Sequence, residues 1–418
     1  MKTTLHPDFA GTADGMRGEA ILRKCVHCGF CLATCPTYQL LGNELDSPRG
    51  RIYLVKQVLE GETPGRATQL HLDRCLTCRN CETTCPSGVD YGELVDIGRR
   101  IVETRVRRTP LQALVRWLLK EGLPSPLFLP AVRLGSALRP LLPEFLRRKL
   151  PARRGATAER GARAWPTAVH ARRMLLLGGC VQPALEPNIN PATARVLDAA
   201  GIQLLLAPGA GCCGAIRSHL ADQAGGLDDM RRNIDAWWPF VEGGQGGAPV
   251  EAIVMNASGC GVTVREYGHA LAGDPAYARK AERISALTRD ISEVVGELLP
   301  GIKARLPADV GRIAVHVPCT LQHGQRMPGQ LENLLRELGF SVAIAADEHH
   351  LCCGSAGTYS VLQAELAGQL RDRKLKQLSD LNAPCIVSAN IGCIQHLQSG
   401  TQLPVRHWIE VLDHALFQ

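Results

Sequence analysis

Cys25, Cys28, Cys31 and Cys35-Pro36 form a C-x2-C-x2-C-x3-C-P run that returns with identical spacing as Cys75, Cys78, Cys81 and Cys85-Pro86. This is the ligand pattern of a bacterial-type [4Fe–4S] site. Three thiolates at intervals of three grip three irons of one cube from a tight loop. The fourth, beside a proline that keeps the chain from re-entering helix, reaches across to the other cube. The pattern assigns Cys25, Cys28, Cys31 and Cys85 to one cluster, and Cys75, Cys78, Cys81 and Cys35 to a second. A zinc site predicts paired C-x2-C elements totalling four ligands, not two quartets.

The elements that must position these thiols begin with helices. The first run is followed by Tyr38 to Leu59, ending in the helical stretch Gly50-Arg-Ile-Tyr-Leu-Val-Lys-Gln-Val-Leu59; the second is followed by Tyr91 to Arg108. Clusters set among helices, with a long interval between the motifs, predict an α-helical ferredoxin module over residues 1–110 in place of the compact βαβ type. Residues 150–166 are small, basic and aperiodic, the composition of a linker.

Beyond the linker the chain repeats itself. An apolar run from Met174 ends at Cys180, and another from Ile313 ends at Cys319. A helix and a second strand follow each, over Ala192 to Leu206 and Leu331 to Ala345. Next come Cys212-Cys213-Gly214 and Cys352-Cys353-Gly354, then a long helix. A third strand then runs into a loop bearing Cys260 or Cys393. The tails Asp290-Ile-Ser-Glu-Val-Val295 and His407-Trp-Ile-Glu-Val-Leu412 also correspond. Alternating strand and helix predicts parallel α/β units, over 169–305 and 306–418, with ligands beyond the carboxyl ends of the strands. Cys180, Cys212, Cys213 and Cys260 form one candidate site; Cys319, Cys352, Cys353 and Cys393 form its duplicate. Neighbouring strand residues point to opposite faces, so only a turn lets an adjacent pair reach one centre, and the following glycine supplies it. Cys385 is read as an ordinary buried thiol within a strand. The fold class is multidomain α+β: an N-terminal α-helical ferredoxin module with two [4Fe–4S] clusters, then two repeated α/β cysteine-rich domains of the CCG type.

The chain has 418 residues, 45% of them apolar and 21% charged, with 17 cysteines and a net charge of +7. The length fits about three domains. Met1 to Ala20 lacks an apolar signal core, and no stretch of 18 apolar residues occurs, so a cytoplasmic protein with thiols kept for metal is expected. The basic excess is local, between Arg99 and Arg173, and Arg105, Arg107, Arg108, Arg116, Lys120, Arg147, Arg148 and Lys149 contribute to it. No aromatic interleaving or reader motif accompanies it, so nucleic acid is not an expected partner. Within residues 111–168, Leu111, Leu114, Val115, Trp117, Leu118 and Leu119 make an apolar helical stripe, continued by Leu127, Phe128, Leu129, Leu141, Leu142, Phe145 and Leu146. Such a segment fits an anionic membrane surface, an acidic subunit, or a linker whose stripe faces the core.

Gly209-Ala-Gly-Cys-Cys-Gly214 matches G-x-G-x-x-G, but the duplicate keeps only the cysteines and last glycine, so the cysteines are the shared element. Gly243 to Gly247 reads as a flexible loop. His316, His323, His349 and His350 lie near the second repeat's cysteines; each could ligate a metal or relay a proton, and the hydrogen-bonded structural reading is preferred. No flavin signature or nucleophile triad is present, so no catalytic residue for an organic substrate is assigned.

Lys24-Cys-Val-His-Cys-Gly-Phe-Cys-Leu-Ala-Thr-Cys-Pro-Thr-Tyr38, Asp46-Ser-Pro-Arg-Gly-Arg51 and Cys75-Leu-Thr-Cys-Arg-Asn-Cys-Glu-Thr-Thr-Cys-Pro-Ser-Gly-Val89, ahead of two CCG repeats, resemble the glycolate oxidase (glycolate dehydrogenase) iron–sulfur subunit family. The resemblance covers nearly the whole chain, the basic segment least. It implies a separate FAD-bearing subunit that oxidises glycolate to glyoxylate and a second flavoprotein-like subunit. This chain would pass the electrons singly toward a quinone-type acceptor at the inner face of the cytoplasmic membrane. Related complexes act on D-lactate or, anaerobically, on glycerol 3-phosphate. Heterodisulfide reductase relatives carry a fifth cysteine per repeat, where this chain has Ala257 and Asn390. That departure leaves a [4Fe–4S] cube, a zinc ion or no metal as readings of each repeat site.

Overall fold

The computed structural model describes residues 1–138, 164–243 and 247–417. The expected linker over 150–166 lies largely outside them, as do Leu141, Leu142, Phe145, Leu146 and the middle of the glycine loop at 243–247.

Residues 1–138 contain helices and no strand. Thr12 starts the first long helix, Ala13–Lys24, by accepting the Gly15 N–H on its side-chain oxygen, and Cys25 ends it in extended backbone. Ser47 caps Pro48–Leu59 in the same way, with proline in the first turn, where a missing N–H costs nothing. These two helices and Tyr91–Arg105 bury Ile21, Leu22, Ile52, Val55, Leu59, Leu94 and Ile97 in one core. The cysteine loops are slung from the ends of this bundle.

Two four-stranded parallel sheets follow. The first has β1 (Arg172–Leu176), β2 (Ile202–Leu206), β3 (Ile253–Met255) and β4 (Thr288–Asp290) in the order β2-β1-β3-β4. The second repeats it with β5 (Arg312–Val315), β6 (Ser341–Ala343), β7 (Ile386–Ser388) and β8 (Val405–His407), ordered β6-β5-β7-β8. Strand order reverses between β1 and β3, and between β5 and β7, and a crevice opens beyond the carboxyl ends at such a point. The fourth strand of each sheet, absent from the sequence-based expectation, runs straight into a capping box. Asp290 with Glu293 caps Ile291–Glu297, and His407 with Glu410 caps Trp408–Leu416.

The two sheets share one core. Helix Ile189–Ala199 of the first repeat packs on Trp408–Leu416 of the second, with a buried Arg195–Asp413 ion pair at 2.7 Å across the seam. His407 Nε2 donates to Asn256 O at 2.8 Å, and Gln325 Nε2 donates to Asp290 Oδ2 at 3.2 Å, so each capping residue also ties its repeat to the other.

Candidate metal centres

Each ferredoxin-type loop bends through two left-handed residues at matching places, His27 (φ 57°) and Gly29 (φ 86°) in one, Thr77 (φ 51°) and Arg79 (φ 59°) in the other. Three of the four carry a side chain there, an uncommon conformation that surrounding structure must hold in place. One-turn helices, Phe30–Ala33 and Asn80–Thr83, present Cys31 and Cys81.

Each fourth thiol lies close to the other run. Cys25, Cys28, Cys31 and Cys85 line one small cavity with Cys81, Ile52, Val89 and Tyr91. Burial pushes the Cys31 thiol up to about 11, and the thiolates of Cys25, Cys35 and Cys85 add to the rise. Cys78 and Cys81 are pushed well up by burial, each within electrostatic reach of Cys75 and Cys35. Thiols packed so closely repel one another once ionised, and a polycationic iron core is the group that reconciles them. The donor sets suit iron–sulfur clusters.

The two quartets differ in surroundings. Cys28 is exposed, with Val26 and Phe30 beside it 69% and 64% exposed. The second quartet is internal. Cys75 Sγ accepts from Thr77 N at 3.4 Å and Tyr91 Oη at 3.5 Å. Arg51, fully buried, donates to His71 O and pairs with Asp46, and its charge faces Cys75 and Cys35.

In the first repeat, Cys180 follows β1, Cys212-Cys213 follow β2, and Cys260 lies in helix Ser258–Arg265 after β3. Cys180 interacts electrostatically with Cys212 and Cys260, and Cys213 with Cys212 and Cys260. Neighbouring Cys180 and Cys213, with the Gly214 and Ile216 N–H groups, draw the Cys212 thiol down. The second repeat matches it: Cys319 Sγ lies 3.7 Å from Cys352 Sγ, and Cys353 interacts electrostatically with Cys393. The glycine after each pair is fixed by geometry. Gly214 and Gly354 sit at φ 94° and 91°, and a Cβ there would lie 2.7 Å from Gly226 O or 2.6 Å from Ala367 O.

Two features correct the sequence-based expectations. Cys260 and Cys393 sit within helices, Ser258–Arg265 and Ile391–Gln398, rather than in loops. Cys385 is half-buried and just precedes β7, at the end away from the site. His316 Nδ1 lies 3.0 Å from Ser388 Oγ, and one of its ring nitrogens is within 4.8 Å of the thiols of Cys353 and Cys393. The first repeat has Leu177 at that distance before its cysteine, so a lone histidine gave no pattern to read. Asn390 donates to Cys393 Sγ at 3.6 Å and accepts from Gly259 N at 3.3 Å, so this position serves the thiol as a hydrogen-bond donor.

The second quartet and the repeats meet. Cys78 feels the charge of Cys319, and Cys352 that of Cys78. Thr83 Oγ1 lies 2.9 Å from His323 Nδ1, and His323 Nε2 donates to His350 O at 3.1 Å. Arg79 pairs with Glu266 of the first repeat. Cys75, Cys78 and cysteines of both repeat sites line a single cleft of about 3230 Å³.

An α-helical module with two thiol quartets, backed by two parallel-sheet repeats with convergent thiols, defines a dicluster iron–sulfur protein with paired cysteine-rich domains. Residues 21–89 match the family described as a 4Fe-4S dicluster domain, and residues 174–265 and 313–398 match the cysteine-rich domain family. The chain is 51% identical over 417 residues to the glycolate oxidase iron-sulfur subunit of Escherichia coli (strain K12), covering 100% of this chain and 99% of that protein. It is 30% identical to the probable glycolate oxidase iron-sulfur subunit of Bacillus subtilis (strain 168), covering 92% and 90%. Lactate utilization protein A of Geobacillus thermodenitrificans is 24% identical over 56% of this chain and 96% of that protein. The chain belongs to the glycolate oxidase iron–sulfur subunit family.

Proposed function

We propose that this chain is the electron-carrying subunit of a glycolate oxidase (glycolate dehydrogenase) complex. The observation that carries the reading is the continuity of its thiol groups. They begin at the exposed Cys28, pass through the internal quartet, and reach the repeats where Cys78 meets Cys319 and Cys352.

Oxidation of glycolate to glyoxylate releases two electrons and two protons, which an FAD-bearing partner accepts together. A quinone-type acceptor takes up two of each to become the quinol. Cys25, Cys28, Cys31 and Cys85 would hold one [4Fe–4S] cluster, and Cys75, Cys78, Cys81 and Cys35 a second. Bound there, such clusters supply one-electron carriage between the two-electron partners. The chain itself donates to Cys75 from Tyr91 and Thr77, and places the Arg51 charge beside it. The four thiols of each repeat suit a further cluster or a zinc ion, with His316 a candidate ligand in the second.

Exposed Val26 and Phe30 beside Cys28 suit a docking surface for the FAD-containing subunit; a second flavoprotein-like subunit completes the proposed complex. No described helix is long and apolar enough to cross a membrane. The reading places the complex in the cytoplasm, peripheral on the inner membrane face through the outward apolar side of helix Pro110–Gly122.

Cys28→Ser in the assembled complex is the test. The variant should keep glycolate-dependent flavin reduction and lose most quinone reduction. Undiminished quinone reduction would refute the reading.

A further inference from the structure

Tyr359 opens a short helix of the second repeat, Tyr359–Leu362, and is 6% exposed. Its ring shares a small core with Leu76, Cys78, Cys319 and Cys352, at the meeting of ferredoxin module and repeat. Its hydroxyl is buried and has no hydrogen-bond partner. A buried tyrosine hydroxyl ordinarily finds one, and an orphan marks the place of a group that the protein atoms do not supply.

The surroundings narrow what that group is. The thiols packed with the ring are Cys78, Cys319 and Cys352, and of these Cys78 belongs to the internal quartet. Cys75 of that quartet also acts electrostatically on the hydroxyl, as do Arg51 and Arg74, whose guanidinium groups offer no acceptor atom. A phenol keeps its proton near neutral pH and is the donor. At the matching place in the first repeat, six residues past the second cysteine of the pair, stands His219. The feature belongs to one repeat alone.

We propose that Tyr359 is a positioning residue: its hydroxyl donates a hydrogen bond to a sulfur of the iron–sulfur group held by Cys35, Cys75, Cys78 and Cys81. The second repeat thus supplies part of the ferredoxin module's inner site, in addition to the bond from Tyr91. Hydrogen bonds to cluster sulfurs stabilise the reduced, more negative state and raise the potential. The bond therefore makes the inner group a better electron acceptor than its four thiolates alone would. The inference rests on the reading that these four cysteines hold a cluster.

The experiment is an anaerobic redox titration of the full chain followed by EPR, with iron and acid-labile sulfide measured on each sample. Cys78→Ser identifies the signal of the inner group. In Tyr359→Phe, iron and sulfide should match wild type. That signal should become about tenfold harder to reduce, a fall of about 59 mV for one electron, with the other signals unmoved. Tyr359→Leu, which also removes ring packing, should show the same fall if the hydroxyl is responsible. An unchanged potential in Tyr359→Phe with full iron, or a shift confined to another signal, overturns the proposal. If Cys78→Ser removes neither iron nor a signal, the cluster reading fails first and takes the proposal with it.

Discussion

His407 joins structure and pH dependence in one side chain. Its Nδ1 accepts from Ile409 N at 3.2 Å, capping the last helix, while Nε2 donates to Asn256 in the other repeat. Both bonds need the neutral ring, and burial holds its pKa down to about 3. A histidine depressed in the fold takes up its proton more readily when unfolded, so the stability it contributes is complete above the ordinary value and is lost as pH falls toward the folded one. His407→Gln should therefore cost about 1–3 kcal/mol near neutrality. That cost should shrink by up to about 1.4 kcal/mol per pH unit on acidification below about 6.5. Thermal unfolding of both chains at about pH 7 and about pH 5 checks this; a pH-independent difference would contradict it. The first repeat fills the same cap with Asp290, whose bond crosses to Gln325. The correspondence of the two tails was legible in the sequence. Their role was not, because each residue's second partner lies in the other repeat.

Helix Pro110–Gly122 is amphipathic as its stripe predicts, but turned the other way from a core-facing linker. Leu111, Leu114, Trp117 and Leu118 are exposed, while Arg116 faces inward toward Asp73 and Glu103, and Lys120 pairs with Asp222. Periodicity reveals that a helix has two faces; which one is buried depends on carboxylates far away in sequence. Trp117→Ala with Leu118→Gln should change stability by no more than about 0.5 kcal/mol while weakening sedimentation of the complex with anionic vesicles. Binding equal to wild type would remove this helix from the proposed membrane contact. The short β4 and β8 were missed because Thr288-Arg-Asp290 and Val405-Arg-His407 lack the apolar run that marks β3 and β7, and their identity comes from pairing with those strands. The major strands and the cysteines beyond them were legible because buried parallel strands are continuous apolar runs.

At the scale of the whole molecule, one thiol quartet reaches the surface at Cys28, and a second meets the duplicated sites, with Cys78 at the junction. The two cysteine runs were legible, since their spacing is local. The junction was not, because it joins Leu76 and Cys78 to Cys319, Cys352 and Tyr359 from the far end of the chain. This layout suits conduction, and substrate choice belongs with the partner that meets glycolate. The most direct test is iron and acid-labile sulfide analysis of the purified chain, prepared anaerobically, with EPR after reduction. The account predicts iron and sulfide for at least two cubes per chain, with reducible signals and no glycolate oxidation by the chain alone. A correctly folded, colourless chain holding zinc and no labile sulfide would contradict it.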